Sequence, residues 1–250
     1  MRPTNLYQLE LASVFANPRS IIMKLGYAYL LGLPFALIRM PPSARVIGIT
    51  MLILFTSFFG ASTSLVTRRT EGQMRRLSQL PIRRRVLYAD FLLSGAVVDI
   101  AQVGIVLALL LLVNGVGVTS GLVLVVAATF VLSVLVLNAL GMLLGMVSKN
   151  SQEVHLVGAL GVGLIGFLSG LFPVPDRIAG FIGATSSASP LYMLARAMET
   201  GLGVEPAGGT PAWQLIGSVA VLVVVAGLFL FRSRSGAVPQ SQAVPRSARS

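Results

Sequence analysis

The sequence predicts an all-α, polytopic membrane protein with six transmembrane helices, an N-terminal interfacial elbow helix and a short cytoplasmic helix between the second and third spans. Three observations carry this reading. Charged residues are only 11% of the 250-residue chain, against roughly 25% in a soluble globular protein. The apolar set is 55%, enough for six spans of about 20 residues each. The apolar residues also fall into separate runs divided by arginine, proline and glycine.

The first eighteen residues place Tyr7, Leu11 and Val14 at i, i+4 and i+7, with Leu6 and Leu9 beside them, and Asn17-Pro18 stops the run. This reads either as an elbow lying on the inner leaflet or as a frayed terminus. Met1 to Pro18 lacks the continuous apolar core of a cleavable signal peptide. The spans follow at Ser20 to Ile38, Val46 to Val66, Phe91 to Val113, Leu122 to Val147, Val154 to Phe172 and Ala212 to Phe231. Each is expected to be helical, because lipid offers backbone N–H and C=O groups no other partner. The glycine-rich Asn114 to Gly121 separates two full-length runs and predicts a tight hairpin.

Basic residues orient the spans. Seven arginines lie between the second and third (Arg68, Arg69, Arg75, Arg76, Arg83, Arg84 and Arg85), which makes that segment cytoplasmic by the positive-inside rule. Alternating sides then puts fifteen of the nineteen Lys and Arg residues inside and leaves Arg39, Arg45, Arg177 and Arg196 outside. Both termini are expected in the cytoplasm, with the chain in the plasma membrane. The net charge of +11 is thereby explained by anionic lipid headgroups rather than by nucleic acid. A permease domain of residues 1–231 is expected to end in a basic, acid-free tail, 232–250, too polar to bury a core.

Within the cytoplasmic segment, Thr70 to Gln79 has Met74 and Leu77 on one helical face with Arg75 and Arg76 beside them, until Pro81 ends the run. Two readings stand: a helix that inserts into a groove on another protein, or a solvated topology signal. The outer segment Pro173 to Pro211 predicts one or two short helices at the outer interface, over Ile178 to Ile182 and Leu191 to Met198, capping an exit route or merely connecting spans.

Several chemistries are excluded. With no cysteine and one histidine, thiol catalysis and Cys/His metal clusters are out. Lys24 follows Met23 and Lys149 follows Ser148, so neither is the lysine of a phosphate-binding loop. A serine hydrolase would need Ser169 and His155, which lie fourteen residues apart on one predicted helix, about 21 Å at the helical rise. Asp99 remains. A carboxylate deep in a bilayer costs at least a few kcal/mol and marks a candidate site. Asp99 and Asn138 lie at similar depths, about 12 and 13.5 Å from the inner ends of their spans, and Gln102 is one turn on. The three form either a polar clamp between the third and fourth helices or a polar spot on a substrate or proton path. Gly141-x-x-x-Gly145 and Gly166-x-x-x-Gly170, with Gly158, Gly161 and Gly163 between, predict close packing between the fourth and fifth helices or across a dimer.

These features together resemble the permease subunits of type-two ATP-binding-cassette (ABC-2) exporters. The similarity runs from Asn5 to Phe231 and is most specific in the loop, where Glu71, Gly72, Met74, Leu77, Pro81, Arg83 and Arg84 match the family pattern. Gln73 stands where the family commonly has threonine, and Arg68 and Arg69 stand where it often has acids. The resemblance implies a transport subunit without a nucleotide site of its own. It would pair with a second permease copy or a paralogue, and with two cytoplasmic ABC ATPase subunits that hold ATP and magnesium. Glu71, Gly72, Met74, Arg75, Arg76, Leu77, Pro81, Arg83 and Arg84 would form the ATPase-coupling surface, with Ser148 to Gln152 as a secondary contact. Family cargo includes drugs and antibiotics, lipid-linked glycans and haem-related molecules. The short outer loops favour small amphiphiles, with lipid or lipid-linked glycan export as the alternative; an ion-driven carrier or a membrane scaffold fits the patterned loop less well.

Overall fold

The computed structural model describes residues 18–77, 79, 84–115, 118–204, 224–225 and 227–228. The predicted elbow, Pro81, Arg83 and the basic tail lie outside the described residues, as does most of the sixth span. The described part is helical, without strands. Helix α1 (Pro18–Leu37) leads to α2 (Pro42–Ile53), which continues through a π-helical segment (Leu54–Phe59) into α3 (Gly60–Thr70). The short α4 (Gln73–Leu77) follows, then α5 (Arg84–Asn114), α6 (Ser120–Val147), α7 (Ser151–Leu168), α8 (Asp176–Ser187) and α9 (Pro190–Gly201).

Among the described residues four helices are long and apolar enough to cross a membrane: Pro42–Thr70, Arg85–Asn114, Ser120–Val147 and Ser151–Leu168. A fifth arises if the bent pair α8 and α9 counts as one. The first predicted span is helical as α1, which contributes the shorter apolar stretch Ala28–Leu37. Large apolar side chains cover the outside of the bundle, with Leu112, Leu124 and Leu160 at least two-thirds exposed. In water such a surface would aggregate; facing acyl chains it is the stable arrangement.

Local sequence explains the ends. Thr119 accepts a hydrogen bond from the Leu122 N–H (3.3 Å) and starts α6, so the expected hairpin forms between Asn114 and Ser120. Asn150 caps α7 by accepting from the Glu153 N–H (2.8 Å), while Glu153 accepts from the Lys149 N–H (2.8 Å). Gly170, at φ +68°, closes the other end of α7. Asn114 donates to the Ala36 carbonyl (2.6 Å), tying the end of α5 to that of α1.

The second span is the hub, touching α1, α5, α6, α7 and α9. Of the two expected uses of the glycines, packing of the fourth helix on the fifth is corrected here. A Cβ on Gly141 would run into the Phe58 carbonyl, and one on Gly145 would lie 2.9 Å from the Ser62 carbonyl. Gly158 and Gly161 likewise leave room for the rings of Phe59 and Phe58. The glycine spacing is used, but its partner is the second span, whose phenylalanines need the space.

The outer segment also departs from expectation. Two helices form, bent by 93°, but only α8 is exposed. Helix α9 is buried in the bundle against α6 and α2 through Leu191, Leu194, Ala195 and Met198, the i, i+3, i+4, i+7 stripe of a core-facing helix.

Gly141→Ala should destabilise the solubilised protein by about 1–3 kcal/mol through overpacking, read as a lower thermal midpoint. Gly163→Ala, where nothing lies within 4 Å of the added methyl, should leave the midpoint unchanged.

Candidate functional site

Two groups of predicted residues are brought to the second span. The first is its lower end. Helix α3 runs to Thr70, four residues beyond the predicted span, and stops because Gly72 takes a left-handed turn at φ +75°. The Gly72 N–H donates to the Arg69 carbonyl (3.2 Å), and the Gly72 carbonyl accepts from the Arg76 N–H (3.2 Å), opening α4. The predicted helix over Thr70 to Gln79 is therefore the shorter α4, since the glycine breaks it from α3. Met74 and Leu77 are half-buried and pack against a lower core of Leu65, Leu87, Phe91 and Met142, anchoring α4 to the bundle. Glu71, Gln73 and Arg76 face outward, with the Gln73 amide donating to Glu71 (2.9 Å). Arg75 lies in α4 and Arg84 begins α5; Pro81 and Arg83 fall outside the described residues.

Arg69 is the residue the sequence reading missed. Its guanidinium donates to the carbonyls of Gly145 (2.6 Å), Met146 (3.2 Å) and Ser148 (3.0 Å), the unsatisfied acceptors at the end of α6. A cation at a helix C-terminus is favourable on both hydrogen-bonding and dipole grounds. The bond joins the turn leading into α4 to the α6–α7 turn, so the two turns form one base. A run of arginines is legible in sequence; which of them finds helix carbonyls depends on the α3–α6 packing.

The second group is within the bundle. Asn138 Nδ2 donates to Asp99 Oδ2 (2.8 Å) and to the Val134 carbonyl (3.1 Å), and Gln102 Nε2 donates to Asp99 Oδ1 (3.3 Å). All three side chains are buried, at 9%, 5% and 2% exposure for Asp99, Gln102 and Asn138. The predicted trio thus meets across α5 and α6. Gly95, one turn before Asp99, leaves room for the Asn138 amide: a Cβ there would lie 3.2 Å from its oxygen.

The trio is also the polar floor of a cavity of about 430 Å³. Its walls include Phe55, Thr56 and Phe59 from the π-helical segment and Phe91 from α5, and Arg68 lies over the Phe91 ring at 4.7 Å. The π-helical segment was not anticipated. Thr56 donates to the carbonyls of Leu52 (2.9 Å) and Ile53 (3.2 Å), a back-bond that bends helices, and such widened turns recur at functional sites.

The residues considered for hydrolysis are not brought together. Ser169 pairs with Ser189 (Oγ to Oγ 2.8 Å), whereas the His155 ring lies 5.4 Å from that of Phe59. Among the described residues no three His, Asp or Glu side chains gather as a metal site.

A family model described as ABC-2 type transporter matches residues 6–203 of the chain. No curated protein matches it.

Asn138→Leu should cost about 1–3 kcal/mol by leaving the Asp99 carboxylate short of a donor. Combined with Asp99→Leu the loss should be smaller than the sum of the two, which thermal unfolding of the four proteins in a double-mutant cycle measures.

Proposed function

The chain belongs to the ABC-2 type transporter family as a membrane permease, and from that premise we propose that it is the transmembrane subunit of an exporter that moves a small hydrophobic or amphiphilic molecule, such as a drug or antibiotic, out of the cell. Energy would come from ATP, with magnesium, on separate cytoplasmic ABC ATPase subunits. The working unit would hold two permeases, this chain with a second copy or a paralogue, and two ATPases. The plasma membrane is its site, with the α4 side in the cytoplasm as the arginine distribution implies.

The observation that carries this reading is the joined base. Helix α4 is held on the bundle by Met74 and Leu77, and α3 is held on the end of α6 by Arg69. A push on α4 from an ATPase closing around ATP would be delivered to α3 and α6 together. These same helices line the cavity that holds Asp99 and Asn138. Displacing them changes the cavity's width and the side to which it opens, which is what alternating access requires of a conformational change. The cavity volume lies in the range of small-molecule sites, which supports a compact cargo over a lipid-linked glycan.

Because Met74 and Leu77 are used to hold α4 in place, the contact with the ATPase falls to the outward Glu71, Gln73 and Arg76. Arg76→Glu, at an exposed position, should abolish co-purification of the co-expressed ATPase while leaving membrane insertion and thermal midpoint unchanged; retained association would remove α4 as the docking element. Arg69→Ala should keep the ATPase bound yet uncouple it, lowering export at least tenfold while ATP hydrolysis persists.

A further inference from the structure

The floor of the cavity is built one-sidedly. Both side-chain amides turn their N–H groups toward Asp99, with Asn138 on one carboxylate oxygen and Gln102 on the other. Gln102 Oε1 is left buried without a hydrogen-bond partner, on a side chain that is 5% exposed and lines the cavity. A buried carbonyl without a donor is costly. What such a floor lacks is a donor, and what its formal charge favours is a cation. The walls agree: Phe55 and Phe59 present apolar and aromatic surface, which binds hydrophobic bodies and attracts cations through the ring face. Arg68, whose guanidinium lies over the Phe91 ring at 4.7 Å, also lines the cavity.

We propose that this cavity is a binding site for hydrophobic cations that carry N–H donors, with the donors directed to the Asp99 carboxylate and the Gln102 carbonyl and the apolar body against Phe55 and Phe59. The proposal rests on the transport reading for its meaning, since it names the class of cargo, but the binding site stands without an ATPase. An anionic cargo is disfavoured, because it would set a second negative charge against Asp99 in a low-dielectric site.

The test uses the full-length chain in phosphatidylcholine nanodiscs, without ATPase and without anionic lipid. Ethidium, a planar aromatic cation with amine donors, should bind saturably, with a rise in fluorescence. Asp99→Asn and Gln102→Met should each weaken it at least tenfold. Ser64→Trp, which fills the cavity from an exposed wall position without touching the polar trio, should do the same, and Ser169→Ala, outside the cavity, should have no effect. The anionic dye 8-anilinonaphthalene-1-sulfonate should not compete. Unchanged ethidium affinity in Ser64→Trp, or in a folded Asp99→Asn protein, overturns the site, as does equal competition by the anion. If ethidium binds as described but ATP-driven export is absent, the transport reading fails and the site stands; if export proceeds while ethidium binding ignores these variants, the site fails and the transport reading stands.

Discussion

The rest of the structure depends on how closely the second span approaches α6. At Gly141 and Gly145 no side chain intervenes, and the carbonyls of Phe58 and Ser62 come to where a Cβ would be. In lipid, where apolar burial does not drive helices together, such close van der Waals contact is the main source of helix association. The contact then dictates what lies above and below it. One turn toward the interior of the bundle, Asn138 is carried to Asp99; at the opposite end, Arg69 is carried to the carbonyls that close α6. Site and base are registered by one glycine face.

That register accounts for how a signal at the base would be felt at the cavity. Helices α3 and α6 share both features, the base contact of Arg69 and the cavity lining, so relative movement of the two helices at one end is felt at the other. The π-helical segment is a natural place for the change: its widened turn already departs from the α-helical ladder, and it supplies Phe55 and Phe59 to the wall. The polar trio is joined by its own hydrogen bonds and leaves the Gln102 carbonyl without one. The hydrogen bonds of Asp99 to Asn138 and Gln102 join α5 to α6, and the same three residues line the cavity.

Much of the fold was legible because bilayer constraints act on short stretches of sequence. Apolar runs of near-span length became helices at α1, α2 to α3, α5, α6 and α7, and the Asn114 to Gly121 break became a hairpin. The pairing of Asp99 with Asn138 followed from equal depth on adjacent helices, since polar groups in lipid must find each other. What was not legible required knowing neighbours. The glycines announced close packing but not that the second span would fill them. The short apolar stretch Leu191 to Met198 was expected at the outer interface, yet α9, bent by 93° from α8, is buried against α6 and α2. Met74 and Leu77 were legible as one helical face, and only the lower core shows what they pack against within the chain. Arg69 was one arginine among seven.

The sequence by itself determined the helical class, the apolar runs that place the chain in a membrane, the family pattern around Glu71 and Gly72, and the depth of Asp99, because hydropathy, charge and chain length act locally. Only the tertiary structure decided which helix the glycines serve, which arginine ends α6, that Gln102 keeps a carbonyl unpaired, and that a cavity opens between them. Those depend on contacts between residues some 40 to 80 positions apart, such as Asp99 with Asn138 and Arg69 with Ser148, whose meeting follows from the packing of whole helices.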